Sequence, residues 1–246
     1  MKINRYYSKG FTLIELLVVI AIIMVLGAAM FAIGTQMIRK SKATLMASNM
    51  KQMSSFFTAY ATDNQQKLLP CRGEIIQGDG SIDGEALWHE IICSMLFETT
   101  DPIDFRDDDW WESRELFLRN PLFQKGETPR EWSALNPGYG YNLMLAENYE
   151  LAQNGSVPAD ALLELTLVPM AFIDDPSRTP IIAPADNYYY RYDPDQIDEW
   201  NSATLRLFLT DGNFPVLFMD GHIENVKPAQ YVDRRFHEMP LDPNAP

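Results

Sequence analysis

From Phe11 to Ile33 the chain runs 23 residues in which Thr12 and Glu15 are the only strongly polar side chains. A helix rising about 1.5 Å per residue crosses a hydrocarbon core of roughly 30 Å in about 20 residues. The stretch is therefore long enough to span a membrane, and whatever follows it is expected to be anchored there. Glu15 sits awkwardly in such a segment, because a lone carboxylate costs about 2.5–3.5 kcal/mol on insertion scales. On the residues alone the segment reads as a signal anchor that tolerates one acid near its end, where the carboxylate reaches the interface.

The neighbours of Glu15 form a pattern. Lys2, Arg5 and Lys9 precede Gly10, then Phe11-Thr12-Leu13-Ile14-Glu15 leads into Leu16-Leu17-Val18-Val19-Ile20. This resembles the class III leader of type IV pilins and of the pseudopilins of type II secretion. An ordinary secretory signal is cut after its apolar part. The resemblance implies a cut before it, between Gly10 and Phe11, so that the apolar helix stays in the mature protein. It also implies a membrane-embedded prepilin peptidase that removes residues 1–10 and methylates the new amine of Phe11. Glu15 would then pair with the Phe11 amine of a neighbouring subunit during assembly. Opposite charges in a low-dielectric medium attract strongly and relieve each other's desolvation.

Charge counting does not orient the segment, because Arg39, Lys40 and Lys42 after it balance the leader's three cations. The resemblance implies a leader in the cytoplasm and a single-pass inner-membrane protein with its C-terminal domain in the periplasm. Many relatives bend the helix with a proline where this chain has Ala32; Gly34 supplies some local freedom instead.

Removing ten of the 246 residues leaves 236, enough beyond the span for one domain with a core. Losing the leader's three positive charges takes the net charge from −14 to −17. An acidic ectodomain argues against nucleic acid as a partner, since binding a phosphate backbone needs Lys and Arg. Cys71 and Cys93 are the only cysteines. Outside the inner membrane a disulfide between them is permitted, and two buried thiols are the alternative. No Cys/His spacing suits a metal.

The helix is expected to continue from 34 to about Asp63, since Met46, Met50, Met53, Phe57 and Tyr60 recur at spacings of three or four. Lys42, Ser48, Lys51, Gln52 and Ser55 lie opposite. A second helix is expected from about Gly84 to Glu98. The acidic loop Asp104–Glu112, with Trp110 and Trp111, is read as solvated with an aromatic anchor. Calcium or a sugar is the alternative ligand there. Short β segments are expected at Val168–Ile173, Thr179–Ala183 and Tyr188–Tyr192. The clearest hairpin pairs Pro215–Met219 with His222–Val226 around Asp220-Gly221, a sequence suited to a type I′ turn.

That hairpin is similar to the ending of a large pilin-like family whose signature is a His, nine residues and Asp-Gly. Asp220-Gly221-His222 fits; Thr210 stands where the histidine is expected. Asn49-Met50-Lys51-Gln52, Tyr60–Asn64, Gly138–Asn142 and Asp175–Thr179 are further family-like pieces. The turn itself is read as structural, with Asp211 and Asp220 as weak calcium candidates and no cofactor otherwise.

The fold expected is therefore α+β and pilin-like: a long N-terminal helix, half transmembrane and half amphipathic, packed on a small antiparallel sheet. The chain is expected to divide into a leader (1–10), a membrane helix (11–33), an amphipathic spine (34–63) and a head (64–246). The leading functional expectation is a non-enzymatic structural subunit of a type II secretion-like pseudopilus. Its partners would be prepilin peptidase, other pilin-like subunits and the assembly platform. The alternative is a membrane-tethered module binding glycan or cargo through Trp110, Trp111 and Tyr188–Tyr192. A periplasmic hydrolase is disfavoured, as the sequence holds no Gly-x-Ser-x-Gly, zinc motif or phosphate loop.

Overall fold

The structure, a computed structural model, describes residues 12–76, 82–97, 117–122, 137–185, 187–190 and 212–227. It is an α+β, pilin-like arrangement: a long N-terminal helix, a small, mostly antiparallel sheet and a separate strand pair. The chain divides into two compact units, with the boundary between Ser41 and Lys42.

Helix α1 (Leu13–Asp63) is 51 residues long and contributes to both units. In the first unit its large apolar side chains are exposed, from Leu13 at 82% to Val19 at 42%. Among the described residues it is the one helix long and apolar enough to cross a membrane. In the second unit the same helix becomes amphipathic. Met46, Met50, Met53, Phe57 and Ala61 are buried, at the three- and four-residue spacing that keeps one face of a helix toward a core. Ser48, Lys51, Gln52 and Ser55 are exposed on the other side.

Helix α1 ends where Gln65 and Gln66 take positive φ, 57° and 60°, and the Gln66 N–H caps the carbonyl of Ala61 at 2.8 Å. The chain then reverses and runs beside Val168–Met170. Leu68 N–H donates to Val168 O, and Met170 N–H to Gln66 O, both at 2.8 Å.

Strands β1 (Arg72–Ile76) and β2 (Ile82–Leu87) pair antiparallel, Arg72 opposite Leu87 and Glu74 opposite Glu85. Helix α2 (Trp88–Leu96) follows directly. The expected start at Gly84 is thus corrected, because residues 82–87 are drawn into pairing with β1. Glu90 fixes the true start: its Oε2 accepts the Leu87 N–H at 2.6 Å, filling one of the donors that a helix N-terminus leaves open.

Strands β3 (Tyr139–Asn142), β4 (Pro180–Pro184), β5 (Tyr189–Tyr190), β6 (Phe214–Phe218) and β7 (Ile223–Val226) form one sheet in the order β5-β3-β4-β6-β7. All neighbours are antiparallel except β3 and β5. Strands β3, β4 and β6 are buried along their whole length. That explains why Phe-Pro-Val-Leu-Phe and Pro-Ile-Ile-Ala-Pro read as continuous apolar runs instead of alternating. Gly140 lets β3 and β5 approach: a Cβ there would lie 2.8 Å from Ala185 Cβ and 3.0 Å from the Tyr189 carbonyl carbon.

Between β3 and β4 lie α3 (Met144–Asn154) and α4 (Asp160–Leu163). Asn142 joins strand to helix, its side chain donating to Pro180 O at 2.8 Å and accepting the Met144 N–H at 3.1 Å. The strand expected over Val168–Ile173 is instead a 3-10 turn at Met170–Phe172 between two single bridge residues, Pro169, which pairs with Lys67, and Ile173. Proline offers no N–H to a ladder, so a longer pairing stops there. The last β segment is observed at Tyr189–Tyr190; Tyr192 lies outside the described residues.

Candidate functional site

Three places hold the polar side chains of interest. The first is the start of α1. Thr12 and Glu15 bond reciprocally: the Thr12 N–H and hydroxyl both donate to Glu15 Oε2 at 2.8 Å, and the Glu15 N–H donates to Thr12 Oγ1 at 3.3 Å. This is a capping box, a Thr and a Glu three residues apart satisfying donors that the first turn otherwise leaves open. The carboxylate that the sequence marks as costly is thus tied to the helix end, with both bonds on one oxygen. Gly10 and Phe11 lie outside the described residues. The Thr-x-x-Glu spacing ahead of an apolar run was the signal that could have revealed this box.

The second place is the β6–β7 turn. Phe218 and His222 close it, with Phe218 N–H donating to His222 O at 3.0 Å and Gly221 N–H to Phe218 O at 2.9 Å. Only Gly221 has positive φ, at 82°; Asp220 does not. The turn is therefore a three-residue loop, Met219-Asp220-Gly221, ending in a left-handed glycine, and not the expected two-residue type I′ turn. Asp220 Oδ1 accepts the His222 N–H at 3.0 Å and meets His222 Nδ1 at 2.5 Å. The imidazole stacks on Phe218 with centroids 4.4 Å apart. Burial pushes the Asp220 carboxyl up, but the bonds and charge from His222 outweigh it and hold the group below its usual range.

The turn rests on α1. Lys51 Nζ donates to Gly221 O at 2.8 Å, and Ser54 lies beside Gly221. A Cβ at Gly221 would meet Ser54 and Lys51 only at 3.4–3.5 Å, so the objection to a side chain there is its backbone conformation and not crowding. Gly221→Ala is expected to destabilise the fold by about 1–2 kcal/mol, and Gly221→Asn by less. Denaturant midpoints of the detergent-solubilised chain test this; equal midpoints for wild type and Gly221→Ala would refute it.

The third place is interior. Arg72 pairs with Glu164 at 2.7 Å and donates to the Tyr188 hydroxyl at 3.1 Å, which in turn donates to Glu164 Oε1 at 3.1 Å. Partial burial, together with Glu164, pushes the Tyr188 hydroxyl up to about 12 against the lowering effect of Arg72. Trp88 Nε1–H donates to Tyr188 O at 2.6 Å. This group links β1, α2, the end of α4 and β5. Its members are far apart in sequence and no local spacing marks them.

Cys71 and Cys93 are both buried thiols, and no disulfide joins them. Burial pushes the Cys71 thiol well up, Glu164 adding to the rise and Arg72 opposing it, so this thiol is a poor nucleophile. Among the described residues no three His, Cys, Asp or Glu side chains gather as a metal site. Asp211, Thr210, Trp110 and Trp111 lie outside them. Of the tyrosines offered for ligand binding, Tyr190 is buried and Tyr188 spends its hydroxyl on Arg72 and Glu164.

A family model, the prokaryotic N-terminal methylation motif, matches residues 5–31. No curated protein and no solved structure matches the chain. The motif supports a type IV pilin-like protein processed by a prepilin peptidase, and the single apolar helix fits the single-pass anchor typical of it.

Proposed function

We propose, from that motif as premise, that the chain is a structural subunit of a type II secretion-like pseudopilus. Prepilin peptidase cuts between Gly10 and Phe11 and methylates the Phe11 amine. Machinery driven from the cytoplasm then draws the subunit from the inner membrane into a short periplasmic filament. The chain is the substrate of an enzyme and not an enzyme itself.

The observation that carries this reading is the motif at residues 5–31 running into α1, which is apolar and exposed where a bilayer would surround it and amphipathic where a head would cover it. The acidic composition fits a soluble head outside the membrane.

The test is the mass and N-terminal sequence of the chain expressed with and without a prepilin peptidase. A product that loses ten residues and begins with methylated Phe11 is expected only with the enzyme. An intact N-terminus, beside a control substrate that is cut, would make the segment a plain anchor.

A further inference from the structure

The proposed processing leaves three cations on α1 without a role. Arg39, Lys40 and Lys42 follow the apolar stretch that ends at Ile33, and they count against a leader held in the cytoplasm, since a basic excess marks the cytoplasmic side. The chain as a whole is acidic, yet no Asp or Glu occurs from Leu16 to Thr62. No acid on α1 therefore stands within a turn of them. Arg39 and Lys42 are three apart, and like charges at that spacing weaken a helix. Anions around this part of α1 would offset that repulsion.

Helix geometry points to the source of those anions. At about 1.5 Å per residue, Met37, Ile38, Arg39 and Lys40 lie about 6–11 Å past Ile33. The headgroup layer adds roughly 5–8 Å on each side of the hydrocarbon. All four residues are exposed, Met37 at 68% and Ile38 at 61%. Side chains of an α-helix tilt toward its N-terminus, which for α1 is the membrane end, so Arg39 and Lys40 lean back toward the lipid. Successive residues step about 100° around the axis, so these four circle the helix. A docked protein covers one side of a helix. The headgroup layer surrounds it, and takes apolar side chains and cationic ends together.

We propose that Arg39, Lys40 and Lys42 bind the phosphates of anionic phospholipids in the leaflet where α1 leaves the bilayer. Arg39 supplies a planar fork of donors that matches a phosphate, and the lysines supply point charges. The inference goes beyond the subunit reading. It needs α1 to span a membrane and does not need a filament.

The test uses the full-length chain with a fluorophore on Gln36→Cys, an exposed position, while Cys71 and Cys93 stay buried. The chain is reconstituted in phosphatidylcholine vesicles with a minor share of phosphatidylglycerol. Quenching is compared between the two lipids, each carrying a nitroxide high on an acyl chain. The leader's cations lie across the bilayer from Gln36, beyond the reach of contact quenching. Phosphatidylglycerol is expected to be preferred at least about fivefold, the effect of one well-placed cation. The preference should shrink in high salt and fall to near parity when Arg39→Gln, Lys40→Gln and Lys42→Gln are combined, glutamine being as good a helix former as the residues it replaces. Equal quenching by the two lipids, or a preference that the triple variant keeps, overturns the proposal. Multimers that the triple variant loses in pure phosphatidylcholine, with no lipid preference in wild type, overturn it in favour of a second copy. Carbonate washing of the same vesicles reports insertion: a chain that washes off removes the proposal together with the membrane anchor, whereas an inserted chain without preference removes the lipid contact alone.

Discussion

Glu15→Ala is expected to be cut and methylated normally and to be absent from filaments. The substitution removes a carboxylate that costs about 2.5–3.5 kcal/mol in an apolar helix, so insertion into the bilayer should become easier. What it loses is the partner of a cationic amine. In the proposed assembly, the Phe11 amine of one subunit and the Glu15 carboxylate of another meet in a medium where neither is hydrated. Removing one member leaves the other buried and unpaired, a penalty of about 3–5 kcal/mol.

The capping box adds a second role that a further variant separates. Glu15→Gln retains a side-chain oxygen that can accept the Thr12 N–H, and loses only the charge. If charge pairing drives assembly, Gln fails as Ala does, and incorporation falls at least about a hundredfold by that same penalty. If the cap is what matters, Gln assembles and Ala does not. Counting processed and filament-borne chains for both variants decides it, and normal incorporation of Glu15→Ala would refute both roles.

The other large effect is expected at Trp88. Its side chain is fully buried, stacks on Phe57 at 6.3 Å and donates to Tyr188 O at 2.6 Å. Trimming a buried Trp to Ala costs about 3–5 kcal/mol, against a total stability of about 5–15 kcal/mol for a domain. Trp88→Ala also removes one of the two donors to the Tyr188 carbonyl, which keeps the Tyr141 N–H where β5 joins β3. The midpoint of thermal unfolding, followed by far-UV circular dichroism in detergent, should fall by roughly 10 °C at about 2–4 °C per kcal/mol. Trp88→Phe refills most of the volume and should lose less than half as much. A wild-type midpoint for Trp88→Ala would mean that the aromatic does not anchor the core.

How far the sequence could be read depends on the range of the forces involved. The Met46, Met50, Met53 and Phe57 stripe was legible because it is periodic, and the hairpin strands because apolar runs flank a turn residue. Asn49 was not, since its place inside depends on a bond to Arg119 O, 70 positions away. Residues 84–87 read as helix because the pairing of Ile82–Leu87 with Arg72–Ile76 is not written in their own spacing. Val168–Ile173 was misread as strand because its β-rich composition outweighed Pro169. At the start of α1 the composition shows Thr12 and the costly Glu15, but their mutual bonding is marked only by the Thr-x-x-Glu spacing. The Arg72–Glu164–Tyr188 group was illegible for the same reason as Asn49.

The Lys51 bond to Gly221 gives the β6–β7 turn a mechanical meaning. Within the second unit, the Met46–Phe57 part of α1 is held in two ways, by its buried methionine face and, sideways, by the Lys51 tether to the hairpin. A displacement of that part of α1 therefore strains the β6–β7 ladder directly, 170 positions along the chain, as well as the residues next to it.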